Sequence, residues 1–149
     1  MKKTRQETKI RNDDRKVPLR VREYIHPVGG NYSTSSGSYT NVPDISAKYT
    51  AGPSDETVLM TINLLHVHDG VGGGYIRPTV NGTGLQGWFS TASSSWNQSS
   101  REYLIDVDAN TAIIVALEWY ASGGGGPLQI SRSSSDHTPH IIFEAYPRQ

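Results

Sequence analysis

Cysteine is absent from this 149-residue chain, and no apolar run in it is long enough to cross a bilayer. The lack of cysteine excludes a disulfide framework and thiolate chemistry. No helical period, internal repeat or secretory signal is visible. Only 35% of the residues are apolar, a low share that is common in β-proteins rich in Ser, Thr, Asn and Gly. The length suits one domain with a tail.

The chain carries no net charge, but its charges are unevenly distributed. Residues 1–23 hold nine Lys and Arg against four Asp and Glu, and residues 24–149 hold five against ten. This pattern predicts a basic arm on an acidic body, disordered or extended until it binds a partner. The alternative is a solvated tail. The predicted partner-binding residues are the cations Lys2, Lys3, Arg5, Lys9, Arg11, Arg15, Lys16, Arg20 and Arg22.

The expected partner of the arm is an acidic protein surface or a neighbouring subunit. Nucleic acid is a less favoured partner, because the arm lacks the interleaved aromatic residues of a nucleic-acid motif. No membrane partner is expected, since no segment can span a bilayer.

The longest apolar run, residues 111–120, is too short for a membrane span and too rich in β-branched residues for a helix. Both of its faces are largely apolar, which predicts a central strand covered on both sides. One cover is the strand's own sheet partner, and the other is a second sheet or a second copy of the protein. The residues assigned to a contact between copies are Ile114, Ala116, Glu118 and Tyr120.

Seven other segments are predicted as strands because apolar residues alternate in them or dominate them. Asn81-Gly82 predicts a tight hairpin between two of these strands. Eight antiparallel strands joined by Gly, Ser and Asn turns predict an all-β jelly-roll sandwich over residues 42–149. Residues 1–41 are predicted to be the flexible or extended arm and a polar linker. The seven segments are 45–49, 57–68, 75–80, 83–89, 102–107, 127–131 and 140–146.

His66 and His68 are the first candidates for chemistry, because two histidines two positions apart share one face of a strand and can bind a metal in cupin-type jelly rolls. The glutamate that a cupin site needs is missing from the glycine loop that follows, although His137 and His140 could complete a site. We therefore expect no metal and no cofactor, and interpret the pair as partly buried or interface histidines.

Support for catalysis is weak, and no catalytic residue is assigned. The chain has no Gly-x-Ser-x-Gly elbow, and the glycine runs lack the features of a phosphate loop. Glu118 is expected either to pair with an arginine, with Arg77, Arg101 and Arg132 as candidates, or to lie at a subunit contact. Trp88 and Trp96 flank a polar loop and are the candidates for a sugar-binding surface.

The order of these segments resembles phage virion proteins with the jelly roll shared by tumour necrosis factor and the complement globular heads. The resemblance covers residues 42–147 and lies in the segments VPDISAKYTAG, TVLMTINLLHVH, GYIRPTVNGTG, REYLIDVDANTAIIVALEWYASGGG and HIIFEAY. It implies a homotrimer in which one face of each sandwich packs around a three-fold axis.

Within that class, the basic arm favours a capsid decoration, or cement, protein. Such proteins are short trimers that clamp the outer capsid and often hold neighbouring subunits with an N-terminal arm. The expected partners are the chain itself and the major capsid protein, and the expected place is the capsid exterior after synthesis in the host cytoplasm. The alternative is a receptor- or carbohydrate-binding head of a tail or head fibre. A cupin-like metalloenzyme is the third hypothesis.

Overall fold

The computed structural model describes residues 17–68, 72–91, 95–122 and 127–149, which form two antiparallel β-sheets packed face to face. The described residues form no helix, and therefore no helix long and apolar enough to cross a membrane. The strands are β1 (Arg20–Ile25), β2 (Tyr32–Thr34), β3 (Thr40–Thr50), β4 (Glu56–His68), β5 (Gly73–Val80), β6 (Thr83–Gly84), β7 (Trp88–Thr91), β8 (Asn97–Val107), β9 (Ala112–Ser122), β10 (Leu128–Ile130) and β11 (His140–Pro147).

The long strands alternate between the two sheets along the chain, which is the connectivity of a jelly roll. In the larger sheet, the order is β1-β11-β4-β8. The short strand β10 pairs with the last three residues of β4, and β2 pairs with β10. In the smaller sheet, the order is β3-β9-β5, and β5 then pairs with β7 at one end and with β6 at the other. The predicted all-β antiparallel sandwich is confirmed.

The core lies between the sheets and is filled by every second residue of the long strands. In β9 these residues are Ile113, Val115, Leu117 and Trp119, each at most 5% exposed. A β-bulge interrupts β3 between Asn41 and Ser46, where Asp44 has φ 56°. The bulge lets Val42 and Ile45, three positions apart, both face the core.

The described part of the chain contains eleven strands instead of the predicted eight. The segment predicted as one strand over residues 83–89 is split into β6 and β7, and β1 and β2 lie within the predicted arm and linker of residues 1–41. The sandwich therefore begins well before residue 42. The predicted hairpin is present, with φ 50° at Asn81 and 83° at Gly82.

Candidate interaction surfaces

β1 is fixed to the sandwich by a buried carboxylate. Glu56 is 1% exposed, and its side chain accepts hydrogen bonds from the Arg20 guanidinium, the Tyr49 hydroxyl and, at 3.0 Å, the Gly52 amide. Burial and the hydrogen bond to Glu56 raise the pKa of Tyr49 to about 12. Arg20 therefore has an ion-pair partner inside its own chain, and its predicted binding to an outside partner remains a prediction.

A second polar cluster holds the segment that follows β1. The buried His26 ring lies 2.9 Å from the Tyr24 hydroxyl and 3.0 Å from the Tyr32 hydroxyl. Arg132 donates to Tyr32 at 2.6 Å and to the Gly30 carbonyl at 2.8 Å. Burial, followed by the charge of Arg132, lowers the pKa of His26. Strand pairing and these hydrogen bonds thus attach residues 20–32 to the sandwich.

The other predicted arm residues fall into two groups. Arg22 lies on β1, is exposed, and donates to the neighbouring Val21 carbonyl at 3.1 Å. The remaining seven, Lys2, Lys3, Arg5, Lys9, Arg11, Arg15 and Lys16, lie outside the described residues. Their role remains a prediction from the sequence.

An aliphatic row runs along β1 on the outer face of the larger sheet. Because Arg20 and Arg22 pair with core-facing residues of β11, the odd-numbered positions of β1 face outward. Within the described residues, β1 pairs with β11 alone, so its other edge is open. The exposed aliphatic residues are Val17 and Leu19, just before the strand, and Val21 and Ile25 within it, at 49–80% exposed; we call these four the β1 strip. Glu23, 48% exposed, lies between Val21 and Ile25 on the same face.

The four predicted contact residues of β9 share the outer face of the smaller sheet, as the alternation required. Ile114 is 50% exposed and Ala116 is partly buried. Glu118 accepts from Arg77 at 2.8 and 2.9 Å, which confirms one of the three arginine partners considered. Tyr120 is packed against other aromatic rings of its own chain. Contact with a second copy through these residues remains a prediction.

Four aromatic side chains form a continuous row at one end of this face. The Tyr75 and Tyr120 rings are stacked at 4.6 Å between centroids and 18° between planes. Tyr39 meets Tyr120 edge to face at 4.6 Å, and Phe89 meets Tyr75 in the same way at 4.8 Å. Tyr39 and Phe89 are 38% and 47% exposed. We call these four residues the aromatic strip.

Arg77 and Gly73 fix the positions of two rings of the aromatic strip. The Arg77 guanidinium carbon lies 3.8 Å from the centroid of the Tyr39 ring, while the same group pairs with Glu118. Gly73 provides the space for Phe89, since a Cβ on Gly73 would come within 2.0 Å of the Phe89 ring. Beside the rings, the charges of Arg77 and Glu118 compensate each other.

Trp88 and Trp96 do not form the predicted sugar-binding surface. Trp88 is 6% exposed and packs in the core, whereas its neighbour Phe89 points outward. The prediction depended on both residues flanking a polar loop, and that position does not determine which face of the sheet each residue occupies. Trp96 is 40% exposed and makes no ring contact with the aromatic strip in the described part of the chain. Sequence reasoning thus missed Tyr39, Tyr75 and Phe89.

His66 and His68 face the core and are 2% and 0% exposed. The His66 ring lies 2.8 Å from the Ser90 hydroxyl and 2.6 Å from the Ser99 hydroxyl, and burial lowers its pKa. His140 lies on the opposite face of the same sheet, since its neighbour Ile141 faces the core. The residues that the structure describes contain no cluster of three or more His, Cys, Asp or Glu side chains able to hold a metal ion.

No protein-family model matches this chain, and no curated protein matches it. Among solved structures, it is similar to the sugar-binding C-terminal domain of EclA, with 11% identity and a TM-score of 0.44 over 85% of this chain and 79% of that one. It is also similar to a family 35 carbohydrate-binding module from Clostridium thermocellum, with 16% identity and a TM-score of 0.35 over 83% and 92% of the two chains.

A structure of infectious bursal disease virus is similar at 16% identity and a TM-score of 0.45, over 88% of this chain and 38% of that one. This chain therefore spans well under half of the viral chain. At these identities, the functions of the three proteins do not transfer to this chain.

Proposed function

We propose that this protein is a structural component of a phage particle: a homotrimeric, non-enzymatic decoration protein that binds the major capsid protein on the outside of the shell and stabilises it. The observation that carries the proposal is the β1 strip, a set of exposed aliphatic side chains at an edge that no other described strand covers. In the sequence, it follows directly after the basic residues of the N-terminus.

The β1 strip supports self-association. Open strand edges and contiguous exposed apolar side chains are the features that monomeric proteins avoid, and a neighbouring chain can cover both at once. In a trimer, the β1 strip of each copy would contact a different surface of the next copy around the three-fold axis, and the assembly would carry three N-terminal segments. Three weak contacts with one shell then act as a single strong one.

The charge distribution supports an acidic partner for the N-terminus. Residues 1–16 hold seven basic and three acidic residues, whereas residues 17–149 hold seven basic and eleven acidic ones. A basic segment before an acidic body is attracted to an acidic shell over a distance of about 10 Å at 0.1 M salt, and less at higher salt. The proposed binding to the capsid is therefore salt-sensitive.

The assembly is tested by light scattering of the full-length chain at several concentrations. We expect a species of three times the 16.3 kDa chain mass. A monomer at every concentration contradicts the trimer.

Capsid binding is tested by co-sedimentation with capsids stripped of the protein, using a full-length variant in which Lys9, Arg11, Arg15 and Lys16 are changed to Gln. We expect the variant to keep the trimer mass and to lose most of the capsid binding, because the attraction depends on these charges. Binding equal to that of the unchanged protein at low and at physiological salt removes the basic segment from the mechanism.

A further inference from the structure

The aromatic strip has no part in the proposed assembly, which uses β1 and the N-terminus. It lies on the other sheet and combines four contacting rings with the Arg77–Glu118 ion pair. We propose that the aromatic strip and this ion pair form a binding site for a neutral saccharide built of pyranose rings.

The chemistry of the surface matches that of a pyranose. A pyranose ring has apolar C–H faces, which pack on aromatic rings, and a rim of hydroxyl groups, which need donors and acceptors. Here the rings supply the apolar platform, Arg77 supplies N–H donors and Glu118 supplies carboxylate acceptors. Their side chains are 32% and 22% exposed, so both groups reach solvent beside the rings.

The charge of the site selects a neutral ligand. Arg77 and Glu118 are paired at 2.8 Å, which leaves no net charge to attract a phosphate, a sulfate or an acidic sugar. A ligand that carried a charge would have to compete with this pair for one of its partners. Neutral hydroxyl groups can bond to both charged side chains without separating them.

The exposed area of the four rings by themselves is that of a small-ligand site. The two most exposed rings are 38% and 47% exposed. Since a whole aromatic side chain presents roughly 150–250 Å², the four together expose only about 300 Å². A stable protein contact covers about 800 Å² on each partner. An area of this size fits two or three sugar rings.

The platform is already arranged before a ligand arrives. Tyr120 is stacked on Tyr75, Tyr39 is held between Tyr120 and Arg77, and Phe89 rests above Gly73. Side chains that are ordered in advance lose less conformational entropy on binding. This favours measurable affinity from a small contact.

The test is a titration of the full-length protein with cellohexaose, mannohexaose and maltohexaose, followed by saturation-transfer NMR and calorimetry. We expect at least one of them to bind with a dissociation constant in the millimolar range or tighter. Phe89→Ala and Tyr39→Ala should each weaken that binding about tenfold, because each removes one ring of the platform. Hexagalacturonate, the charged probe, should bind more weakly than the best neutral probe.

Two controls separate the site from general effects. Tyr39→Phe keeps the ring and should keep most of the affinity, and Trp96→Ala removes an exposed ring outside the site and should change nothing. The proposal is overturned if none of the three neutral probes binds at millimolar concentration, or if Trp96→Ala weakens binding as much as Phe89→Ala. A change in oligomer mass on Phe89→Ala also overturns it, since the strip would then be a protein contact. A failed titration leaves the assembly proposal unaffected, because that proposal depends on mass and capsid binding.

Discussion

The outer surfaces of the two sheets expose different kinds of apolar side chain. On the larger sheet, the β1 strip is aliphatic and lies at a strand edge that is unpaired among the described residues. On the smaller sheet, the aromatic strip has rings that already contact one another, with an ion pair beside them. Aliphatic side chains beside unpaired backbone groups suit another polypeptide, whereas ordered rings with polar neighbours suit a small amphipathic molecule. Exposed apolar area alone does not distinguish these two uses.

The largest effect on this comparison should come from Glu56→Ala, which removes the group that fixes β1. The change leaves Arg20 and the buried Tyr49 hydroxyl without their acceptor. We expect the free energy of unfolding to fall by about 3 kcal/mol, at the lower end for a broken buried pair because Arg20 is 26% exposed. Urea denaturation measures this change, and the aromatic strip should be unaffected at low urea.

Arg22→Ala is the matched control for this region of β1. Arg22 is exposed, so its loss should change the free energy of unfolding by less than about 0.5 kcal/mol. Equal effects of Glu56→Ala and Arg22→Ala would mean that β1 is not held by the buried carboxylate.

The next effect concerns which surface joins the copies. Val21 and Ile114 are 49% and 50% exposed, so Val21→Asp and Ile114→Asp place the same charge at equally exposed positions of the two sheets. We expect Val21→Asp to raise the dissociation constant of the trimer about a hundredfold and Ile114→Asp to leave it nearly unchanged. Sedimentation velocity measures both. The reverse result would move the contact to the outer face of β9.

A smaller effect should follow from Gly73→Ala on the other surface. The new methyl group would displace the Phe89 ring from its place over residue 73 and break its contact with Tyr75. We expect a loss of about 1 kcal/mol in stability and a change in the near-ultraviolet circular dichroism of the tyrosines. Gly30→Ala is the control, since a Cβ there meets nothing within 4 Å. Identical spectra for both variants would show that Phe89 is not held by Gly73.

The smallest effect should come from the buried His66, which lies between the sheets, and should change the pH dependence of stability without disturbing either surface. Because burial lowers the pKa of His66 below its ordinary value of 6.5, the unfolded chain takes up a proton before the folded chain does. Stability is therefore complete above pH 6.5 and falls as the pH drops from 6.5 towards the pKa of the folded state. Thermal unfolding from pH 7.5 to 5.5 measures this loss.

His66→Gln should reduce the slope of stability against pH in that window. An unchanged slope would place the pH-sensitive group elsewhere.

Strands with clear alternation were predictable from the sequence. The two faces of β9 and the Asn81-Gly82 turn follow from side-chain period and backbone sterics, and both are present in the structure. β1 was not recognised, because two of its three inward positions are arginines. Arg20 is tolerated there only because Glu56, 36 positions later, supplies a buried carboxylate. No local pattern contains that information.

The binding surfaces were harder to predict than the fold, because they depend on the register between strands. Arg77 lies opposite Glu118 and Tyr75 lies opposite Tyr120 through the pairing of β5 with β9. Tyr39 and Phe89 join them from two other parts of the chain. A tryptophan is a candidate for sugar binding from its residue type alone. Whether it is exposed depends on the face of the sheet on which it lies, and here Phe89 faces outward while Trp88 faces the core.

The attachment of β1 would also determine how the sandwich resists a pulling force applied at its N-terminus. If the N-terminus is held by a shell while the body is dragged by fluid, the tension enters the sandwich at Arg20 and runs along β1. Its six residue pairs with β11 would then be loaded in shear, so that they resist together and do not open one after another. The ion pair with Glu56 sits at the first of these pairs, where the pull arrives. The same contact that fixes a strand at rest would act as the anchor point of a tether.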